Sequence, residues 1–255
     1  MELSIIIPYY HEPFLDKTIA NIKYNSVCDI EILPIDGTAG LREAINEGLS
    51  KATGKFVMKC DAHCIFGKGF DKILIDDCQD NWLMIPRRYS INWQDGLYGP
   101  WSRSDEKPYI DYHFLSYPDL FALNWTNKQS DLLIDDTMAF QGSCWFANRQ
   151  YFIDNLGYLN AKTYGNFIAE HLEIGLKYWL GGGEVKVNKK TWYGHLHKNR
   201  QSYKDGVFTR EHKTGSQYKK YWVWTTDHWF NDREPNMIHK LSWLVDKFRP
   251  VPQWE

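Results

Sequence analysis

Lys55-Phe56-Val57-Met58 leads into Lys59-Cys60-Asp61-Ala62-His63-Cys64, which sets an acid and an imidazole two residues apart at the end of an apolar run. Such a run reads as a short buried strand. In extended backbone, alternate side chains point the same way, so Asp61 and His63 face one side. Ligands of open α/β sheets sit outside the carboxyl ends of the strands. A carboxylate oxygen and an imidazole nitrogen there form half a site for a divalent cation of the manganese type. The tripeptide alone is equally a surface acid beside a histidine with no metal.

The elements that must position this pair repeat a simple order. Leu3 to Ile7 is a β-branched run typical of a buried parallel strand, and Pro8 is expected to stop it. Tyr9-Tyr10-His11-Glu12-Pro13 forms a turn, and Phe14 to Tyr24 places Phe14, Leu15, Ile19 and Ile22 on one helical face. A second strand, Asp29 to Ile35, ends at Asp36-Gly37-Thr38. A helix over Leu41 to Lys51 precedes the third strand, Phe56 to Cys60. Phe70 to Asp77 reads as a helix and Trp82 to Pro86 as a fourth strand. This β-α-β-α-β order over residues 1–86 is the nucleotide-binding half of a doubly wound sheet. Its strand ends carry Tyr9 to Glu12, Asp36, and Asp61 with His63, and their convergence marks a site.

Residues 87–136 are less regular and rich in Tyr, Trp, Pro and Asp. They read either as an insert shaping an acceptor site or as a packed β meander. Residues 137–200 bring a strand region over Ala139 to Ala147 with Gly142 inside it, where a ligand can approach the backbone. A short helix over Arg149 to Asn155, a stronger one over Phe167 to Leu180 and a strand over Glu184 to Val187 follow. Residues 201–255 read as an extension. The segment Lys198–Trp222 is basic with interleaved tyrosines, and suits a lid over a diphosphate, a nucleic-acid contact or a plain solvated loop. Asn236 to Phe248 is an amphipathic helix with Met237, Ile238, Leu241, Leu244, Val245 and Phe248 on one face. It is expected to pack on the domain or to form a homodimer.

Composition excludes little. The net charge of −2 gives no global pull toward nucleic acid or anionic membrane. The 12 Trp and 16 Tyr suit sugar or base stacking, and equally suit a core. Five cysteines in no zinc pattern read as free thiols of a reducing compartment. With no signal-peptide pattern and no apolar run near the ~20 residues that span a bilayer, a soluble, cytoplasmic protein is expected.

The order Ile5-Ile6-Ile7-Pro8-Tyr9-Tyr10-His11-Glu12, then Asp36-Gly37, then Gly54-Lys55 leading to Asp61-Ala62-His63, resembles GT-A-fold glycosyltransferases of the family 2 type. Asp61-Ala62-His63-Cys64 resembles more narrowly the Asp-x-His metal motif of polypeptide N-acetylgalactosaminyltransferases. The later segments Gly142-Ser143-Cys144-Trp145-Phe146, Glu170-His171-Leu172-Glu173 and Gly194-His195-Leu196-His197-Lys198 follow that family's order at similar spacing. The resemblance covers about residues 3–86 and 138–200. It implies a GT-A fold, with a Rossmann-like, mostly parallel sheet flanked by helices. It further implies a single catalytic domain over residues 1–200 with a C-terminal helical extension.

The roles implied by the resemblance are specific. Asp61, His63 and His195 would hold Mn²⁺ or Mg²⁺ bridging the phosphates of a UDP-sugar. Lys198 would stabilise the leaving diphosphate. Pro8, Tyr9, Glu12, Asp36 and Arg42 would line the uridine pocket, Gly142 would admit the donor sugar and Glu170 would contact its hydroxyls. The chain departs from the family at His171, where inverting members carry an Asp base and the retaining ones an Asn. Either His171 is the general base or transfer is front-face with retention.

The expected function is therefore transfer of a sugar from a UDP-sugar to a hydroxyl. The acceptor is a saccharide or cell-surface glycan, or a hydroxymethylated pyrimidine in DNA approached through Lys198–Trp222. Alternatives are a nucleotide-sugar-processing enzyme such as a pyrophosphorylase, and an inactive sugar-binding protein. The loop Pro8-Tyr9-Tyr10-His11-Glu12 lacks the Gly-rich, basic character the first alternative requires. The intact Asp61, His63 and His195 argue against the second.

Overall fold

The computed structural model describes residues 1–91, 109–165, 169–197 and 215–254. Strands β1 (Leu3–Tyr9), β2 (Ile30–Asp36) and β3 (Phe56–Cys60) alternate with helices α1 (Leu15–Asn25) and α2 (Leu41–Lys51), as the apolar periodicity predicts. Strand β1 lies between β2 and β3 and runs parallel to both. Ile5, Ile6 and Ile7 are fully buried, as in a strand covered on both faces. Pro8 does not stop β1. The ladder to β3 ends at Ile6, so only β2 accompanies Pro8, and a proline is tolerated where one edge is free. Gly48 lets α2 press on β1, because a Cβ there would overlap the Ile6 side chain.

The second half builds on the same sheet. Strand β4 (Cys64–Phe66) and helix α3 (Phe70–Asp77) lead to β5 (Trp82–Ile91), which runs past Pro86 through Arg87 and Arg88. Short strands β6 (Tyr109–Ile110), β7 (His113–Leu115), β8 (Ala122–Asn124) and β9 (Ile134–Asp136) follow; β6 pairs with β5, and β7 and β8 form a separate antiparallel pair. Strand β10 (Cys144–Asn148), helices α4 (Arg149–Leu156), α5 (Ala161–Tyr164) and α6 (Glu170–Leu180), and strand β11 (Glu184–Leu196) complete this half. The main sheet runs β2-β1-β3-β10-β5-β11-β4. Strand β10 is antiparallel to both neighbours, whereas β5 and β11 are parallel over most of their length.

Helices α7 (Gly215–Phe230) and α8 (Leu241–Phe248) close the chain. The last helix starts later than its apolar pattern suggests. The backbone N–H groups of Ile238 and His239 donate instead to the Leu180 carbonyl, at 2.8 and 3.0 Å, and so finish α6. Its apolar face, Leu241, Leu244, Val245 and Phe248, is buried, and Phe248 meets Trp179 of α6 at 5.4 Å. Of the face that suggested a homodimer, these four residues are covered by the chain itself, whereas Ile238 is 68% exposed. Trp222 and Trp229 join the same core, which extends from Leu3 to Val251. The five cysteines are free. Among the described residues no helix is long and apolar enough to cross a membrane.

Candidate active site

Strand β3 ends at Cys60, and the Asp61 N–H donates to the Ser143 carbonyl at 2.8 Å. The chain then turns into β4, which pairs with β11 so that Cys64 lies opposite His195. This turn and this pairing bring His63 to His195, although the two are 132 residues apart in sequence. His63 Nε2 lies 3.1 Å from His195 Nε2. Asp61 Oδ2 lies 3.2 Å from His195 Nε2 and 3.8 Å from His63 Nε2. Donors about 2.1 Å from one cation and at right angles to each other sit about 3 Å apart, so this triangle fits one face of an octahedral ion.

The electrostatics fit as well. Burial pushes His195 down to about 3, against the pull of Asp61, so its ring is neutral and offers a lone pair. Two Nε2 atoms facing each other at this distance can share one proton at most, and a cation between them would engage both. Burial pushes the Asp61 carboxyl up, but Lys59, His195 and His63 outweigh it and hold the group well below the usual carboxylate range. Glu12 stands on the outer side of His63, with a carboxylate oxygen 3.2 Å from Nδ1. A carboxylate at that position fixes the ring and raises its basicity as a ligand.

Lys59 is the residue the sequence reading missed. It is buried in β3, ion-pairs with Asp61 Oδ1 and donates to the Gly142 carbonyl at 2.7 Å. Burial lowers its proton affinity, and Asp61 and Glu170 more than restore it. The ammonium occupies Oδ1 of Asp61 and leaves Oδ2 facing the two histidines. A lysine in the buried run Phe56-Val57-Met58-Lys59-Cys60 was the available signal, since such a charge must be paired.

Glu170 opens α6 behind Ala169, which holds a left-handed φ of 55° at a cost of about 1 kcal/mol or more for a non-glycine residue. A Cβ on Gly142 would collide with Glu170 Oε1, so any side chain there would have to displace the Glu170 carboxylate. Burial raises the Glu170 carboxyl, but His171, Lys59 and Arg42 bring it down to about 2. His171 Nδ1 lies 3.7 Å from Glu170 Oε1, with 23% of its side chain exposed.

On the other flank, Tyr9, Tyr10, His11, Glu12, Asp36 and Thr38 line an open pocket of about 370 Å³. Asp36 accepts from Thr38 N–H at 2.7 Å and from its hydroxyl, and these bonds lower its carboxyl. Pro8 lies in the strand beneath and is not part of the lining. Arg42 requires a correction. It is fully buried, ion-paired with Glu173, and its guanidinium lies 4.5 Å from the Tyr164 ring centre. Its charge is committed to α6 and not to the uridine pocket. Lys198, and the part of Lys198–Trp222 before Gly215, lie outside the described residues.

Residues 37–156 match the family model Glycosyl transferase family 2. Over 176 residues, 64% of its length, the chain is 26% identical to a putative polypeptide N-acetylgalactosaminyltransferase 13 of Drosophila melanogaster, of which this covers 29%. The crystal structure of GalNAc-T7 with UDP, GalNAc and Mn²⁺ superposes on 97% of this chain and 56% of its own, with a TM-score of 0.69 at 14% identity. The S. aureus TarS 1–349 complex with UDP-GlcNAc covers 87% of this chain and 64% of its own, with a TM-score of 0.54 at 14% identity. The chain spans less than a third of the Drosophila relative and about half of the GalNAc-T7 chain. The chain thus has the GT-A fold of these neighbours, and within it residues 37–156 carry the segment that matches glycosyl transferase family 2.

Proposed function

We propose that this chain transfers a sugar from a UDP-sugar to a hydroxyl acceptor with the help of a divalent cation, Mn²⁺ or Mg²⁺. The observation that carries the proposal is the cluster of Asp61, His63 and His195 beside the Tyr9–Asp36 pocket. UDP bound to GalNAc-T7 together with Mn²⁺, and UDP-GlcNAc bound to TarS, support the choice of donor.

In this reading Tyr9 and Asp36 receive the nucleoside. Asp61, His63 and His195 hold the cation, which when bound neutralises the departing diphosphate. Lys59 fixes which Asp61 oxygen faces the cation, and Glu12 fixes the His63 ring. Glu170, ionised and placed at Gly142, accepts hydrogen bonds from sugar hydroxyls. His171 is drawn toward Glu170, and we assign front-face transfer with retention, in which no enzyme base is needed. The DNA acceptor rested on Lys198–Trp222, so within the described residues the acceptor is defined only as a hydroxyl.

The test is UDP release from a panel of UDP-sugars with Mn²⁺, together with direct Mn²⁺ binding. Asp61→Ala and His195→Ala should abolish both, and chelation should reproduce their effect. Turnover that survives either substitution sinks the metal assignment. His171→Ala should keep more than about a tenth of wild-type turnover, whereas a loss of about 10²-fold or more would make His171 the base and the reaction inverting.

A further inference from the structure

Arg88 is a buried cation with no acid beside it among the described residues. It lies in β5 with 4% exposure, yet no carboxylate among the described residues pairs with it. Its guanidinium contacts two imidazoles and an amide: His197 Nε2 at 3.4 Å, His113 Nε2 at 3.4 Å and Asn124 Oδ1 at 3.2 Å. Its Nε has no hydrogen-bond partner among the described residues. The His113 imidazole is pushed down in proton affinity by burial and then by Arg88, so it accepts and adds no charge. A desolvated guanidinium that no carboxylate among the described residues pairs with is costly. It is also a fork of donors shaped for a carboxylate or phosphate.

Its place in the sheet narrows the ligand. The ring of His197 is 4.8 Å from that of His195, so Arg88 adjoins the metal cluster. Strand β5, however, is three strand spacings from β1, which carries Tyr9. That puts Arg88 about 14 Å across the sheet from the nucleoside pocket. On its far side His113 lies within electrostatic reach of His171, next to Glu170. The guanidinium therefore lies on the sugar and acceptor flank.

We propose that Arg88 binds an anionic group of the substrate, a carboxylate or a phosphate separate from the donor's diphosphate, so that the enzyme handles an acidic sugar or an anionic acceptor. The inference rests on the UDP-sugar reading above. The anion arrives either on the transferred sugar or on the acceptor, and Arg88 recognises the same chemistry in both cases.

Calorimetric titration of the full chain with Mn²⁺ tests it, using UDP, UDP-glucose and UDP-glucuronate, then inorganic phosphate added to UDP-saturated protein. The variants are Arg88→Met, and Asn124→Asp, which keeps the arginine but supplies an internal acid at an exposed position. UDP affinity should change less than about two-fold in both. In the wild type either UDP-glucuronate should bind about ten-fold or more tightly than UDP-glucose, or phosphate should bind the UDP complex. That gain should fall about ten-fold in both variants. The first pattern puts the anion on the donor sugar and the second on the acceptor. UDP binding with no anion gain in either arm, or a gain that survives both variants, overturns the proposal alone. So does a loss of UDP affinity in Arg88→Met equal to the loss of the anion gain. Failure of the wild type to bind UDP overturns the donor reading, and this proposal with it.

Discussion

Lys59→Met isolates the buried charge beneath the metal cluster. The ammonium is 1% exposed and holds Asp61 Oδ1 and the Gly142 carbonyl together. Removing one partner of a buried ion pair costs about 3–5 kcal/mol. Here 26% of the Asp61 side chain is exposed, so water can stabilise the stranded carboxylate and the lower figure applies. The orphaned Gly142 carbonyl alone costs about 1–3 kcal/mol and is part of that loss. The expected destabilisation is about 3 kcal/mol in urea unfolding without metal. A divalent cation supplies the missing positive charge, so Mn²⁺ should stabilise Lys59→Met more than it stabilises the wild type. A variant within about 0.5 kcal/mol of wild type without metal would refute the reasoning, because an unpaired carboxylate cannot be that cheap at this site. Equal stabilisation of both proteins by Mn²⁺ would separate Lys59 from the cation site.

Three further outcomes follow from the same geometry. Arg42→Met should destabilise by about 3 kcal/mol, because the buried Glu173 loses one of its two cations and keeps only Lys177 at 2.8 Å, while UDP affinity stays within about two-fold; a selective loss of UDP binding would return Arg42 to the nucleotide pocket. Gly142→Ala should cut turnover about ten-fold or more by displacing Glu170, with Mn²⁺ affinity unchanged, and wild-type turnover would show that Glu170 is not held there. His195 falls from 6.5 to about 3 and His113 lies well below 6.5, so both are neutral when folded but take up protons when unfolded below pH 6.5. Unfolding then binds protons, and stability should be complete above pH 6.5 and fall as the pH drops from 6.5 toward 4, more steeply than about 1.4 kcal/mol per pH unit. A flat profile in urea unfolding between pH 6 and 4.5 would remove both assignments.

The parts of this protein that show in sequence are those governed by local period. Ile5-Ile6-Ile7 and Phe56-Val57-Met58 announce buried strands, and the polar residues just past them announce the crevice. Asp61 and His63 were readable from their place just past a buried strand, but the strand ends at Cys60, and a turn rather than strand alternation sets the two side chains together. Arg42 was misplaced because its partner Glu173 is 131 residues away, and nothing local distinguishes a buried cation from a ligand-binding one. Arg88 was assigned to the irregular middle because Pro86 looked like the end of a strand, whereas β11 pairs with β5 as far as Ile91. The C-terminal helix was read correctly as amphipathic, but which surface covers it depends on Trp179, a residue of a distant helix.

The separation of His63 from His195 also sets an order of events during synthesis. A ribosome delivers Asp61 and His63 early, in a β-α-β unit that can collapse on its own contacts, but the third imidazole follows 132 residues later. It arrives on a strand that must find β5 and β4 by long-range pairing, the slow kind of contact. A nascent chain shorter than this strand carries the Tyr9–Asp36 pocket without His195. Under the proposed function, metal binding would therefore report that the sheet has closed, and a chain that stops folding halfway would lack the third ligand needed to activate a donor.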